Sequence, residues 1–173
     1  MRNHLSLFAV AAVLVLPAAR SAAAQEVAAR HTLTTVAGPV NFDLSGTGTT
    51  FGAAIRGTRA LTSNLALEAG FLIARPKLQD GANATLFAPE VHLQYHWRIG
   101  RFAPFAGGGI GFARQSRDFI SVTDLTLSGA GGVRAYLNDR LALIGEFRLR
   151  GFEHDFTGTT AEVMGGVSFG IGR

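Results

Sequence analysis

The chain has no cysteine, so an exported domain built from it must be stable without disulfide staples. Beyond the first residues it has no apolar stretch approaching about 18 residues, which excludes a helix long enough to cross a bilayer. No segment of about ten residues carries a capped 3.6-residue period, so amphipathic helices are not expected either. Long basic runs are missing, and with them the usual footprint of a nucleic-acid binder. The G-x-S-x-G elbow and the P-loop lysine are also absent, which removes two common routes to hydrolase and nucleotide chemistry.

What is present begins at the N-terminus with "MRNHLSLFAVAAVLVLPAARSAAAQ". A short basic start, an apolar run from Leu5 to Leu16 and the small residues Ala22, Ala23 and Ala24 predict a secretory signal peptide over residues 1–24. Residues 25–173 then form one domain. Cleavage removes Arg2 and Arg20, so 16 basic residues become 14 against 12 acidic ones, and the net charge falls from +4 to +2. The remaining excess is too small to point to nucleic acid.

Period two dominates the rest. In "LFAPEVHLQYHWRI" the residues Phe87, Pro89, Val91, Leu93, Tyr95, Trp97 and Ile99 share one face, while Glu90, His92, Gln94, His96 and Arg98 share the other. "LALEAGFLIA", "DLTLSGAGGVRAYL", "RAYLNDRLALIGEFRLRG" and "EVMGGVSFGI" split in the same way. Segments near 51–58 and 102–114 also fit strands, although the glycines of "FAPFAGGGIGFAR" leave the facing of the second open. With a first strand over about 27–37, the count reaches eight. Short polar turns at 61–64, 99–101 and 137–140 alternate with longer connections near 38–48, 75–84, 115–123 and 153–160.

Strands of about 9 to 11 residues that alternate between apolar and polar faces, joined by alternating short and long connections, predict an all-β fold: an eight-stranded antiparallel up-and-down transmembrane β-barrel. Lipid offers no hydrogen bonds to an exposed sheet edge, so only a closed sheet can span it. The apolar face then looks outward. The polar face gathers Arg56, Glu68, Glu90, Arg98, Arg134, Glu146 and Arg148 in a lumen that eight strands leave just wide enough for side chains. Both signs are present, which permits a paired plug instead of an open pore. On this facing Leu143→Arg, in lipid, is expected to hurt folding more than Arg150→Leu.

With these residues in view, the chain resembles the small eight-stranded outer-membrane barrels of Gram-negative bacteria, the group of the OmpA transmembrane domain and OmpX. The resemblance rests on "RFAPFAGGGIGF", on "RAYLNDRLALIGEFRL" and on the closing "GGVSFGI", where Gly166, Phe169 and Ile171 match the spacing of the family's C-terminal insertion signal. It implies a monomer in the outer membrane, in contact with lipid and lipopolysaccharide and inserted by the barrel-assembly machinery. Two departures stand out: the chain ends in "GIGR" instead of an aromatic residue, and Pro89 lies inside a strand, which predicts a bulge or rim position.

Arg75, Lys77, Arg114 and Arg117 flank long connections, where lipopolysaccharide phosphates would lie, and guanidinium groups suit bidentate phosphate contacts. A solvated rim is the competing reading. No cofactor or metal is expected. His92 and His96 are about 13 Å apart on a strand at roughly 3.3 Å per residue, too far to share an ion. In "GGGIGF", Phe112 replaces the third glycine of a dinucleotide loop. Barrel deacylases of lipid A use a His-x-Ser motif, but after His154 the serine position is Phe156, which leaves Glu162 without a nucleophile to serve. The non-enzymatic barrel therefore leads, ahead of a lipid A-modifying enzyme and of a soluble lipocalin-like barrel. The last would turn Tyr95 and Trp97 inward onto an apolar ligand.

Overall fold

The computed structural model describes residues 31–41, 48–76, 83–117, 120–152 and 159–171. The predicted signal peptide lies outside the described residues. Eight antiparallel strands, β1 (His31–Asn41), β2 (Thr49–Ala60), β3 (Leu65–Ala74), β4 (Thr85–His96), β5 (Phe102–Arg117), β6 (Ile120–Tyr136), β7 (Leu141–Phe152) and β8 (Thr159–Ile171), follow one another around a closed barrel. β1 pairs with β8, which leaves no strand at an edge of the ring.

The pairing defines the size of the barrel. A path stepping across paired residues runs from His31 through Arg59, Leu67, Leu93, Gly108, Gly129, Leu149 and Ala161, and returns to β1 at Asn41, ten residues further on. A stagger of ten residues over eight strands tilts the strands by about 40° and sets the backbone at roughly 8 Å from the axis. Side chains pointing inward must therefore touch one another.

Strand facing follows the predicted alternation. Leu33, Ile55, Leu67, Val91, Leu93, Leu143, Phe147, Val163 and Val167 lie exposed on the outer wall, and the arginines and glutamates of the same strands are buried inside. Aromatic side chains mark both margins of this apolar wall, as amphipathic rings favour the membrane interfaces. Tyr95 and Trp97 meet edge to face at 5.1 Å near the short turns, with Phe102 and Phe169 exposed nearby, and Phe51, Phe87 and Phe112 ring the other end.

Several expectations need correction. β5 resolves the open facing: Ala103, Phe105, Gly111 and Ala113 are buried, while Phe102, Ile110 and Phe112 are exposed. β5 and β6 stay paired from Phe102↔Ala135 to Arg117↔Ile120, so the long connection expected at 115–123 is mostly ladder. The start of β4 meets this hairpin near its tip at Thr85↔Ser116, whereas on the other side β6 runs on from its last pair with β7, Thr126↔Phe152, up to Ile120. Pro89 makes no bulge. The β4–β5 register is the same on both sides of it, the pairs of Ala88 and Pro89 to β5 are simply missing, and Pro89 keeps its partner Phe71 on β3. A missing N–H interrupts one ladder locally and shifts nothing.

The same device explains β1, which extends to Asn41 instead of stopping near residue 37. Gly38 and Pro39 skip their β8 partners but pair with Gly52 and Phe51 on β2, and the β8 ladder resumes at Val40↔Glu162. Gly38 is needed there, since a Cβ would lie 2.1 Å from the Val163 carbonyl oxygen. Across the same seam a Cβ on Gly166 would lie 1.9 Å from the oxygen of Thr35. Backbone must move to admit either methyl group, so Gly166→Ala is expected to destabilise closure of the ring by about 1–3 kcal/mol. A heat-modifiability gel with a urea series reads this as a lower midpoint for the fast-migrating form.

Candidate functional site

Inward positions of β2, β3, β4, β6, β7 and β8 bring charge to the middle of the lumen. Among the described residues the lumen holds four buried arginines, Arg56, Arg134, Arg148 and Arg150, and four buried glutamates, Glu68, Glu90, Glu146 and Glu162. Arg148 is the hub. Its guanidinium lies 3.0 Å from Glu68 Oε1 and 3.7 Å from Glu146 Oε1, and donates a hydrogen bond to Glu90. Arg56 donates to Glu146 from the opposite wall, and Arg150 sits 3.1 Å from Glu90 and 3.0 Å from Glu162. Charges taken from water this completely are tolerable only when paired, and every arginine and glutamate of the group has at least one opposite charge within 4 Å. Among the described residues Glu162 is held by its ion pair with Arg150 alone, since neither of its oxygens has a hydrogen-bond partner.

Six of the seven lumen residues read from the sequence are thus brought to the interior: Arg56, Glu68, Glu90, Arg134, Glu146 and Arg148. Arg98 is not. Its position has inward parity, but β4 ends at His96 and the side chain is exposed beside the short turn. Arg150 and Glu162 belong to the plug and were overlooked. Their signal was there, since Arg150 continues the alternation of Glu146 and Arg148, and Glu162 shares a face with Ser168.

Beside the ion pairs, His92 Nε2 lies 2.7 Å from Ser128 Oγ and 3.1 Å from Glu90 Oε2, and Ser128 Oγ donates to the same carboxylate oxygen at 3.1 Å. A hydroxyl, an imidazole and a carboxylate thus meet, but not as a nucleophile relay. The glutamate contacts the nitrogen that faces the serine, whereas a relay needs it on the other one, and His92 Nδ1 has no hydrogen-bond partner. His96 lies apart from this group and stacks on Phe105 at 5.5 Å. His154 and Phe156 lie outside the described residues.

At the loop end Arg75 and Arg114 are both exposed. Arg114 pairs in register with Phe87, just beyond the upper aromatic margin, and its Nη2 is 3.4 Å from Ser121 Oγ. The Arg75 carbonyl accepts a hydrogen bond from Thr50 Oγ1 at 2.8 Å. Lys77 lies outside the described residues, and for Arg117 only the backbone position at the tip of β5 is described.

The outer membrane protein beta-barrel domain family matches residues 8–169. The chain belongs to this family. No curated protein matches the sequence. Among solved structures, the crystal structure of neisserial surface protein A is similar with a TM-score of 0.72 at 14% identity, over 82% of this chain and 97% of that one. The N-terminal β-barrel domain of Pseudomonas aeruginosa OprF gives 0.56 at 12% identity, over 82% and 97%. Ail, the attachment invasion locus protein of Yersinia pestis, gives 0.52 at 13% identity, over 80% and 95%. At such identities the likeness speaks for the fold alone. Together with the inverted facing, family membership makes this an outer-membrane barrel and sets aside the soluble lipocalin-like alternative, because the exposed Tyr95 and the leucines around it face outward and the lumen is charged.

The expected ranking of two substitutions changes. Leu143 is 48% exposed on the outer wall, so Leu143→Arg costs about 2–4 kcal/mol in lipid. Arg150 is fully buried at 0%, and Arg150→Leu strands Glu162 and half of Glu90, which is worth about 3–5 kcal/mol. Urea unfolding in detergent micelles should therefore find Arg150→Leu at least as destabilising as Leu143→Arg.

Proposed function

We propose that this protein is a non-enzymatic outer-membrane barrel whose lumen is closed by the ion-pair plug, with a structural and surface-interaction role carried by the loop end. The observation that supports closure is Arg148, fully buried and in reach of Glu68, Glu90 and Glu146 from three other positions of the wall. A hydrated ion crossing the lumen would have to displace these pairs. Ser128, the hydroxyl that meets His92 and Glu90, is held within the same network and is not poised as a nucleophile. Planar-bilayer recording of the purified protein tests this reading: the expected result is an absence of stable conductance steps, and large stable steps would overturn it.

The partners follow from the two ends and the wall. The apolar wall faces membrane lipid, and the protein acts as a monomer. The exposed Phe169 and Ile171 of β8 suit recognition by the barrel-assembly machinery during insertion. Arg75 and Arg114, just above the aromatic margin, suit lipopolysaccharide phosphates, with Lys77 and Arg117 as further candidates on the same connections. Loss of one charge-assisted hydrogen bond is worth about 1.5 kcal/mol, roughly tenfold in affinity. Replacing both Arg75 and Arg114 by glutamine should weaken co-purifying lipopolysaccharide by at least that factor while leaving heat-modifiability unchanged. An unaltered lipopolysaccharide content would favour the solvated-rim reading.

A further inference from the structure

The plug is balanced in number, yet its acids are unevenly shared. Glu68 serves three arginines: Arg148 at 3.0 Å, Arg134 at 3.6 Å and Arg56 at 3.9 Å. Arg56 also has Glu146, and Arg148 also has Glu90 and Glu146. Arg134 has no second acid among the described residues. Its other polar contact is a 3.4 Å hydrogen bond to Thr58, its Nε has no hydrogen-bond partner, and its plane lies 5.7 Å from the Phe105 ring centroid. A guanidinium only 3% exposed is thus left short of counter-charge.

Directly beside it, at the short-turn end of the lumen, is a cavity of about 50 Å³. Arg134, His96, Thr58 and Ser168 line its inner part, and Arg98 and Arg140 stand at its rim. His96 Nε2, buried, has no hydrogen-bond partner. The charged groups in the lining are three arginines against the single carboxylate of Asp139. Positive charge with spare donors, around a space with room for a few water molecules at about 10–15 Å³ each on the same measure, suits the head of one small anion.

We propose that the short-turn mouth of the barrel is a binding site for a small oxyanion, a carboxylate or a phosphate, held between Arg134 inside and Arg98 and Arg140 at the rim. The planar forks of the arginines match two oxygens of such a group. Arg98, exposed beyond β4, finds its role here. The short turns of family barrels face the periplasm, so the oxyanion arrives from that side, free in solution or as the terminal carboxylate of a longer molecule.

The test uses the full-length protein in phospholipid nanodiscs. Side-chain NMR signals of Arg134 and His96 are followed during titration with inorganic phosphate, with acetate and with a short peptide bearing a free C-terminal carboxylate, each against chloride at matched ionic strength. A saturable shift with phosphate or acetate but not chloride is expected. A tighter response to the peptide than to acetate identifies a carried carboxylate as the source, and equal responses identify the free ion. The double substitution Arg98→Gln with Arg140→Gln lies outside the plug and leaves heat-modifiability intact, so its loss of at least tenfold in affinity separates binding from folding. A response that is linear and equal to that of chloride, or an affinity unchanged in the double variant, overturns the proposal.

Discussion

The structure depends on one constraint: in hydrocarbon no backbone N–H or C=O can be left without a partner. Closing the sheet satisfies it, and closure dictates nearly everything else. The return path from His31 to Asn41 commits every strand to one register with both neighbours. That register fixes the tilt and, with it, a radius so small that inward side chains from opposite walls meet. The prolines obey the same rule. Pro39 and Pro89 each face their missing donor toward one ladder and keep the other intact, so neither changes the register. A strand proline in this ring costs a bond or two without opening an edge.

The narrow lumen then gives the charged plug a second effect beyond filling space. Side chains alternate faces, so a one-residue slip of any strand would exchange its whole inner and outer sets. For β7 such a slip would carry Glu146, Arg148 and Arg150 into lipid and bring Leu143, Phe147 and Leu149 into contact with the remaining charges. Each arginine near the bilayer midplane costs about 2–4 kcal/mol, so a slipped register is heavily disfavoured. The ion pairs are costly compared with water, but the alternatives open to this chain are costlier. Specificity of register is therefore a firmer consequence of the plug than raw stability is.

This also explains what could be read in the sequence. Period two on β4 and β7 revealed the strands and their inverted facing, because nearly every position there has a side chain to declare a face. β5 did not declare its face, because Gly107, Gly108, Gly109 and Gly111 carry no side chain and the assignment depends on neighbours such as Phe105 and Ile110. Gly38 and Pro39 resembled the start of a loop, since their place in β1 is visible only against Val163 on β8. Arg98 was misplaced by extending parity past the strand end. The pairings themselves were hidden: Glu68 and Arg148 are 80 positions apart and meet only through the accumulated stagger of the ring.

That stagger has a last consequence for charge. Inward positions of a closed ring form a fixed lattice, and each arginine can reach only the acids within its own length, on nearby strands or across the narrow lumen. Four arginines and four glutamates neutralise the lumen as a whole, but Glu162 and Arg150 pair toward the loop end while Arg134 is left toward the short turns with a third share of Glu68. Coulomb energy falls with distance, so Glu162 at the far end cannot compensate Arg134. A polar plug built on strands is thus neutral in sum and polarised along its axis, positive at the mouth where Arg98 and Arg140 add to it. The inner arginines of β7 close the lumen, and the leftover arginine of β6 turns one end of it toward anions.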